Sequence, residues 1–308
     1  MAEADVRRKA RRRALRRWTM FDTVVTALAA MACLVTLFPM WYVFACSISD
    51  PGMVSAGKVT FLPKGFSVEA YRMVLANMDF WRSILNSCFY VIAGSALMLF
   101  NTIAVAYPLT RPNLKFRKPL TFYLLIQMYF GGGMIPAFIL ITKLGLYNSP
   151  LALILPGCFS IWNIILCRTF MASLPIDMID AALVDGANQI QTLAKIVIPL
   201  SKPVFAVILI YTIVGIWNSW FAASIYTTRQ EIQPVQLYLK RIIETTTMRK
   251  ELMEGMTADM QEKYFAMQLS ANQIKYTMII VVSAPILAVY PFFQKHFVKG
   301  VMLGSLKG

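Results

Sequence analysis

The chain has 308 residues, 58% of them hydrophobic and 15% charged, with 30 Lys and Arg against 15 Asp and Glu for a net charge of +15. Soluble domains average about 45–50% apolar and about 25% charged residues. These proportions, with a mean hydropathy of +0.59, exclude a disordered tail, a collagen and an ordinary cytosolic enzyme, and point to a polytopic membrane protein.

Residues 1–20 form a basic segment carrying the run Arg7-Arg8-Lys9-Ala10-Arg11-Arg12-Arg13. Basic residues beside an anionic inner leaflet contribute roughly 1 kcal/mol each, so this run reads as a membrane anchor. No aromatic platform or base-reading motif accompanies it, which argues against nucleic acid. About 20 apolar residues span a bilayer as a helix. Six stretches qualify: 21–46, 83–108, 120–142, 151–170, 204–226 and 276–294. The first is too long for a signal-peptide core, and bulky Phe44 spoils a cleavage site before Cys46. It reads as a retained helix. Pro39, Pro136, Pro156, Pro285 and Pro291 lie in these stretches, which predicts kinked, mutually packed helices.

Two connecting loops are long. Residues 47–82 contain the turn signals Pro51-Gly52 and Pro63-Lys64-Gly65, then a short helix over Val68–Ala76. Residues 227–275 are polar, with a helix expected within Met248–Leu269. Met253, Met256, Met260 and Met267 fall there at near-helical spacing. Without Cys or His beside them they read as an apolar packing face rather than a copper site. The five cysteines (Cys33, Cys46, Cys88, Cys158, Cys167) include no CxxC pair, and His296 in the tail 295–308 is the one histidine. No metal site or His-based triad is expected.

Six spans put both termini on one side. That side carries eighteen of the 30 basic residues but six of the 15 acids, so its net charge is +12 of the total +15. Positive loops stay in the cytoplasm, so the termini and the segments 109–119 and 171–203 are assigned there. The expected fold is all-α, six transmembrane helices within 21–294.

The cytoplasmic loop 171–203 is MASLPIDMIDAALVDGANQIQTLAKIVIPLSKP. Pro175 opens a helix, and Asp177 and Asp180 sit in its early turns, where the helix dipole favours acids. Gly186 permits a tight turn out of it. A second helix runs from about Gln189 towards Pro199, with Ile190, Leu193, Ile196 and Val197 on one face. This makes a helix–turn–helix finger whose small and acidic residues suit docking into a groove on a soluble partner.

The loop resembles that of ABC-importer permeases, whose pattern is Glu-Ala-Ala, three residues, Gly, nine residues, Ile, one residue, Leu-Pro. Here Asp180-Ala181-Ala182, Gly186, Ile196, Ile198 and Pro199 hold those places, with Asp for Glu and Ile for Leu; Asp185, Ala187 and Ser201-Lys202-Pro203 also fit. The resemblance covers about residues 20–308. Phe61-Leu62-Pro63 with Tyr71, Asn86-Ser87, Ala106-Tyr107-Pro108-Leu109 with Arg111, and Trp217-Asn218 are similar to the carbohydrate-uptake (maltose-type) branch. Gly131-Gly132-Gly133-Met134-Ile135-Pro136, Trp217-Asn218-Ser219-Trp220 and the tail Lys299–Met302 with Gly304–Gly308 resemble permeases for complex oligosaccharides and polysaccharide fragments, uronic-acid sugars included. Those permeases are paired with lipoprotein-type binding proteins.

The resemblance implies a type I ABC-importer permease in the bacterial plasma membrane. A second homologous permease would complete the pathway, a dimer of ATPase subunits would sit beneath it, and an extracytoplasmic solute-binding protein would deliver carbohydrate. Helix 175–187 would couple pathway to ATPase. The chain lacks GxxxxGK[ST], so ATP and Mg would be bound by partner subunits and the chain itself is no enzyme. Polar and aromatic residues in the spans are pathway candidates: Gln127, Tyr129, Asn163, Trp217, Asn218 and Trp220, with Asn86 and Asn101. An ABC permease for a non-sugar solute is one alternative. An ATP-independent carrier or channel fits less well, since no acid lies deep in a span and the cytoplasmic finger would have no task. A membrane enzyme fails because no catalytic carboxylate pair or His cluster lies at membrane depth.

Overall fold

The structure, a computed structural model, describes residues 19–251, 271–289 and 291. The basic start, the methionine-bearing part of the 227–275 loop, His296 and the tail lie outside the described residues. Those described are helical, apart from short links and a lone antiparallel bridge between Ser49 and Phe66.

Local chemistry places the first helices. In α1 (Met20–Ser47) Thr19 and Asp22 form a reciprocal capping box, which accounts for the one acid at the edge of a span. Only Ala45, Cys46 and Ser47 of α1 are buried, and its apolar flank from Met20 to Phe44 lies exposed. Asp50 caps α2 (Pro51–Ser55), and α3 (Glu69–Ala76) matches the expected short helix. The Asn77 side chain accepts bonds from the backbone of Asp79 and Phe80 and opens α4 (Met78–Thr110).

The long α4 is the mast of the molecule. Near its C-terminal end Ala106, Tyr107 and Leu109 join a core with α8 (Ile161–Ala172) and α11 (Lys202–Trp217). Near its N-terminal end Phe80 joins a second core with Trp217, Val235 and two residues of α14 (Ala271–Val289), Met278 and Val282. Midway, a Cβ on Gly94 would come within 2.7 Å of Ile216 Cδ1, so glycine there allows α4 and α11 to approach.

The expected stretches are helical, but not as six unbroken spans. By length and composition α1, α4 and α14 are long and apolar enough to cross a membrane among the described residues, or up to five spans if each bent pair counts as one. The 120–142 stretch is instead α5 (Arg117–Tyr129) and α6 (Met134–Lys143), bent by 109°. Gly131–Gly133 opens the bend, with Gly133 at φ +83. The 151–170 stretch divides into α7 (Leu151–Ile154) and α8 around Pro156-Gly157. Asn101 of α4 stabilises that link by donating to the Cys158 carbonyl at 3.0 Å.

The 204–226 stretch ends α11 at Trp217 and restarts as α12 (Phe221–Tyr226). Upstream, α10 (Gln189–Leu200) meets α11 at 75°. A π turn over Leu193–Val197 lies inside α10. It adds a residue to the turn and rotates the inward seam, so Thr192 and Val197 are buried while Ile190 is 77% exposed. Ile190 therefore does not share the inward face expected of it. Pro39 and Pro285 lie within continuous helices, whereas Pro156 sits in the break between α7 and α8; the other breaks fall at glycine and polar links.

Candidate functional site

The finger is built on α9 (Ile176–Val184). Its end satisfies the last carbonyls in a Schellman arrangement: Gly186 N–H donates to Leu183 O at 3.1 Å and Ala187 N–H to Ala182 O at 2.9 Å. Gly186 has φ +82 and nothing lies within 4 Å of where its Cβ would be. The glycine is needed for backbone conformation, not for space. Ala182 and Ala187, the two residues that meet across this motif, are half-buried. Asn188 and Gln191 then cap α10 reciprocally.

One face of the finger is anchored and the other is presented. Ile179 is buried in the core with Tyr107, Ile164, Met171 and Phe205. Tyr107 Oη donates to the backbone oxygen of Gln189 at 3.1 Å or to its Oε1 at 2.9 Å, with Arg111 stacked 4.6 Å from its ring. Asp177, Asp180, Ala181, Asp185 and Gly186 are exposed. Ile196 is half-buried and Pro199 exposed. Between α9 and residues 107–114 opens a cavity of about 400 Å³, where Asp180 and Arg111 share the lining with Ile176, Ile179 and Leu183. Ile179 and Tyr107 thereby tie the finger to the core shared by α4, α8 and α11. Replacing Tyr107 with Phe removes the phenol bond across this joint, at a cost of about 1 kcal/mol. The expected result is a small drop in the melting temperature of the solubilised chain, with faster proteolysis at the finger.

A second cluster lies where α11 breaks. Ile216 touches the midpoint of α4, so the non-helical link 218–220 lies close to the middle of an apolar 33-residue helix. Irregular backbone at membrane depth is tolerated where protein or a water-filled cavity covers it. The exposed Asn218 accepts a bond from Gln236 Nε2 at 3.3 Å. Gln236 belongs to α13 (Val235–Glu251). Trp220 is 36% exposed and carries Lys240 Nζ 3.8 Å above its ring.

Other pathway candidates fall elsewhere. Trp217 is 4% exposed and donates its indole N–H to Val282 O at 3.2 Å, a link between α11 and α14. Asn163 is buried on α8. Asn86 donates to the carbonyls of Glu231 and Gln233, and Tyr90 to Ile232 O, which seats 231–233 against α4. Gln127 and Tyr129 are exposed beside the Gly131–Gly133 elbow. Lys240 and Gln236 were not singled out in the sequence; their helical spacing of four was the available signal. Among the described residues no three His, Cys, Asp or Glu side chains gather as a metal-ligand group.

Known proteins match along nearly the whole chain. It is 35% identical over 289 residues to the polygalacturonan/rhamnogalacturonan transport system permease protein YtcP of Bacillus subtilis, covering 94% of this chain and 99% of the relative. It is 34% identical to the protein LplC of the same organism, covering 89% and 90%. Its fold superposes with a TM-score of 0.80 on a chain of a bacterial ABC transporter involved in import of the acidic polysaccharide alginate, at 31% identity, covering 92% of this chain and 98% of that one. A family model matches residues 7–303. With that span and these identities, the chain belongs to the binding-protein-dependent transport system inner membrane components.

Proposed function

We propose that this chain is the permease subunit of an ATP-driven importer for carbohydrate, an oligosaccharide by the cargo of its relatives. The observation that carries the reading is the finger: Ile179 is locked into the core while Asp180, Ala181, Asp185 and Gly186 face outward. An exposed acidic and small-residue face on a rigid stem suits a groove on an ATPase subunit. Closure of an ATPase pair would bias a two-state pathway through it. The cavity beside Asp180 and Arg111 would receive side chains of the same partner.

In this reading the chain crosses the bacterial plasma membrane six times with cytoplasmic termini, the broken stretches 117–143, 151–172 and 202–226 supplying three spans. Retention of positive charge in the cytoplasm supports that orientation. A second permease chain faces the elbow at Gly131–Gly133, where exposed backbone needs protein or water against it. Asn218, Trp220, Gln127 and Tyr129 then line the pathway, offering amides for sugar hydroxyls and aromatic faces for C–H surfaces. Trp217 and Asn163, both buried, support the wall from behind. A solute-binding protein delivers the cargo from outside.

Purification of the tagged chain from membranes tests the assembly: an ATPase and a homologous permease should co-purify, and uptake in vesicles should require ATP. Flux through the isolated chain without ATP contradicts the reading. Asn218→Ala should raise the KM for saccharide uptake several-fold, because a lost hydrogen bond between uncharged groups costs about 1 kcal/mol. An unchanged KM and rate remove Asn218 from the pathway.

A further inference from the structure

The importer reading leaves unexplained a lysine held against the broken segment. Lys240 stands on α13 one turn after Gln236, and both reach back across the sequence to the 218–220 link: Lys240 to the Trp220 ring at 3.8 Å, Gln236 to Asn218 Oδ1 at 3.3 Å. The lysine side chain is 33% exposed and pairs with Glu244 Oε1 at 3.3 Å, while Glu244 is 53% exposed. Trp220 is braced edge-on by Phe221 at 5.5 Å. A flexible ammonium is thus held in place by an aromatic face, flanked by two amides, and neutralised by a carboxylate that sits at the solvent side.

We propose that this cluster selects anionic saccharides: Lys240 exchanges the Glu244 carboxylate for the carboxylate of a uronic-acid unit, while Asn218 and Gln236 bond the neighbouring hydroxyls. The inference rests on the reading of this chain as a saccharide permease with the 218–220 link in its pathway. The exchange leaves no charge unpaired when the cargo is acidic, because one carboxylate replaces another. A neutral sugar offers Lys240 no replacement and must either leave the Glu244 pair intact, losing the contact, or break it without compensation. Burial against Trp220 already restricts the lysine, so little side-chain freedom is lost when cargo arrives.

The test uses the complete complex, with its own permease partner, ATPases and binding protein, in proteoliposomes. ATP-dependent uptake of trigalacturonic acid is compared with uptake of its fully methyl-esterified form, with one binding protein throughout so that its selectivity cancels between variants. Wild type should favour the acid. Lys240→Met should lower the acid-to-ester ratio about tenfold, the scale of one hydrogen bond to a charged group, and Lys240→Arg should restore it to within about twofold of wild type. Glu244→Gln, at an exposed position that leaves the fold alone, should raise the ratio by freeing the lysine. An unaltered ratio in both Lys240→Met and Glu244→Gln overturns the proposal, and so does a wild type indifferent to esterification. A complex that imports neither saccharide but does import a non-sugar solute overturns the saccharide reading itself, a result separate from any change in ratio.

Discussion

Gly186→Pro is expected to abolish uptake while the chain still inserts and co-purifies with its partners. Three features of the finger act together. Gly186 sits at φ +82, and proline is confined near −65°. Its N–H donates to Leu183 O, a bond that proline lacks. Asp185 before it has φ −70 and ψ 5, a conformation disfavoured ahead of proline. Proline in an incompatible, hydrogen-bonded position costs about 3 kcal/mol or more, about a 100-fold shift in population. The chain would relieve this by unwinding the end of α9 and moving the exposed Asp185 and the half-buried Ala187. Because Gly186 is exposed and belongs to neither core, the rest of the fold should stand. Gly186→Ala makes the control: its Cβ meets nothing within 4 Å, so the cost is backbone strain of about 1–2 kcal/mol and uptake should fall only in part. Uptake and ATPase rates measured side by side check both. Full transport in Gly186→Pro would refute the finger as the coupling element.

Replacing Gln273 is expected to cause a large loss of stability for a single polar site, already with leucine. Gln273 is 1% exposed on α14. Its Nε2 donates at 2.6 Å to Ser49 O, with longer approaches of 3.4 Å to Ser47 O and Ser67 O. These carbonyls belong to the end of α1 and the turns that follow it, so one amide fastens the first helix and its loop to α14. Leucine has nearly the right volume but no donor, and leaves the Ser49 oxygen without this partner, at about 1–3 kcal/mol. Thr277 Oγ1 still reaches Ser47 O at 3.4 Å, so Ser47 keeps a partner. Gln273→Glu should be worse than Leu, since an ionised carboxylate would meet carbonyl oxygens acceptor to acceptor. Thermal melting of the detergent-solubilised complex should rank wild type above Leu and Leu above Glu. Equal melting of all three would show that the amide fastens nothing.

Features governed by neighbouring residues were legible in the chain. Among the described residues the apolar stretches are chiefly helical, the helix after Pro175 closes at Gly186, and the short helix before Asn77 lies just after the turn signals. Each follows from interactions across a few residues: composition, caps, and a glycine at positive φ. The direction of the backbone was less legible. Hydropathy sums a window and does not register a 109° bend at Gly131–Gly133 or the link at 218–220, because glycine is near neutral and a lone asparagine is outweighed by its apolar neighbours.

Partner choice was not legible at all. Asn86 and Asn101 look like pathway residues in sequence, yet Asn86 donates to carbonyls some 145 residues away and Asn101 to Cys158 O, 57 residues away. Those carbonyls lie in the non-α-helical segments 230–234 and 155–160, where a side-chain amide can reach them. Trp217 is spoken for by Val282 O, 65 residues on, while Lys240 stands over the ring of Trp220, on a different helix-end segment. The opening imbalance of hydrophobic residues and positive charge belongs to the first kind of property, additive along the chain and readable without coordinates. Which buried polar group meets which depends on how α4, α11, α13 and α14 are packed, because a hydrogen bond needs its partner within about 3 Å and only the folded chain brings residues so distant in sequence that close.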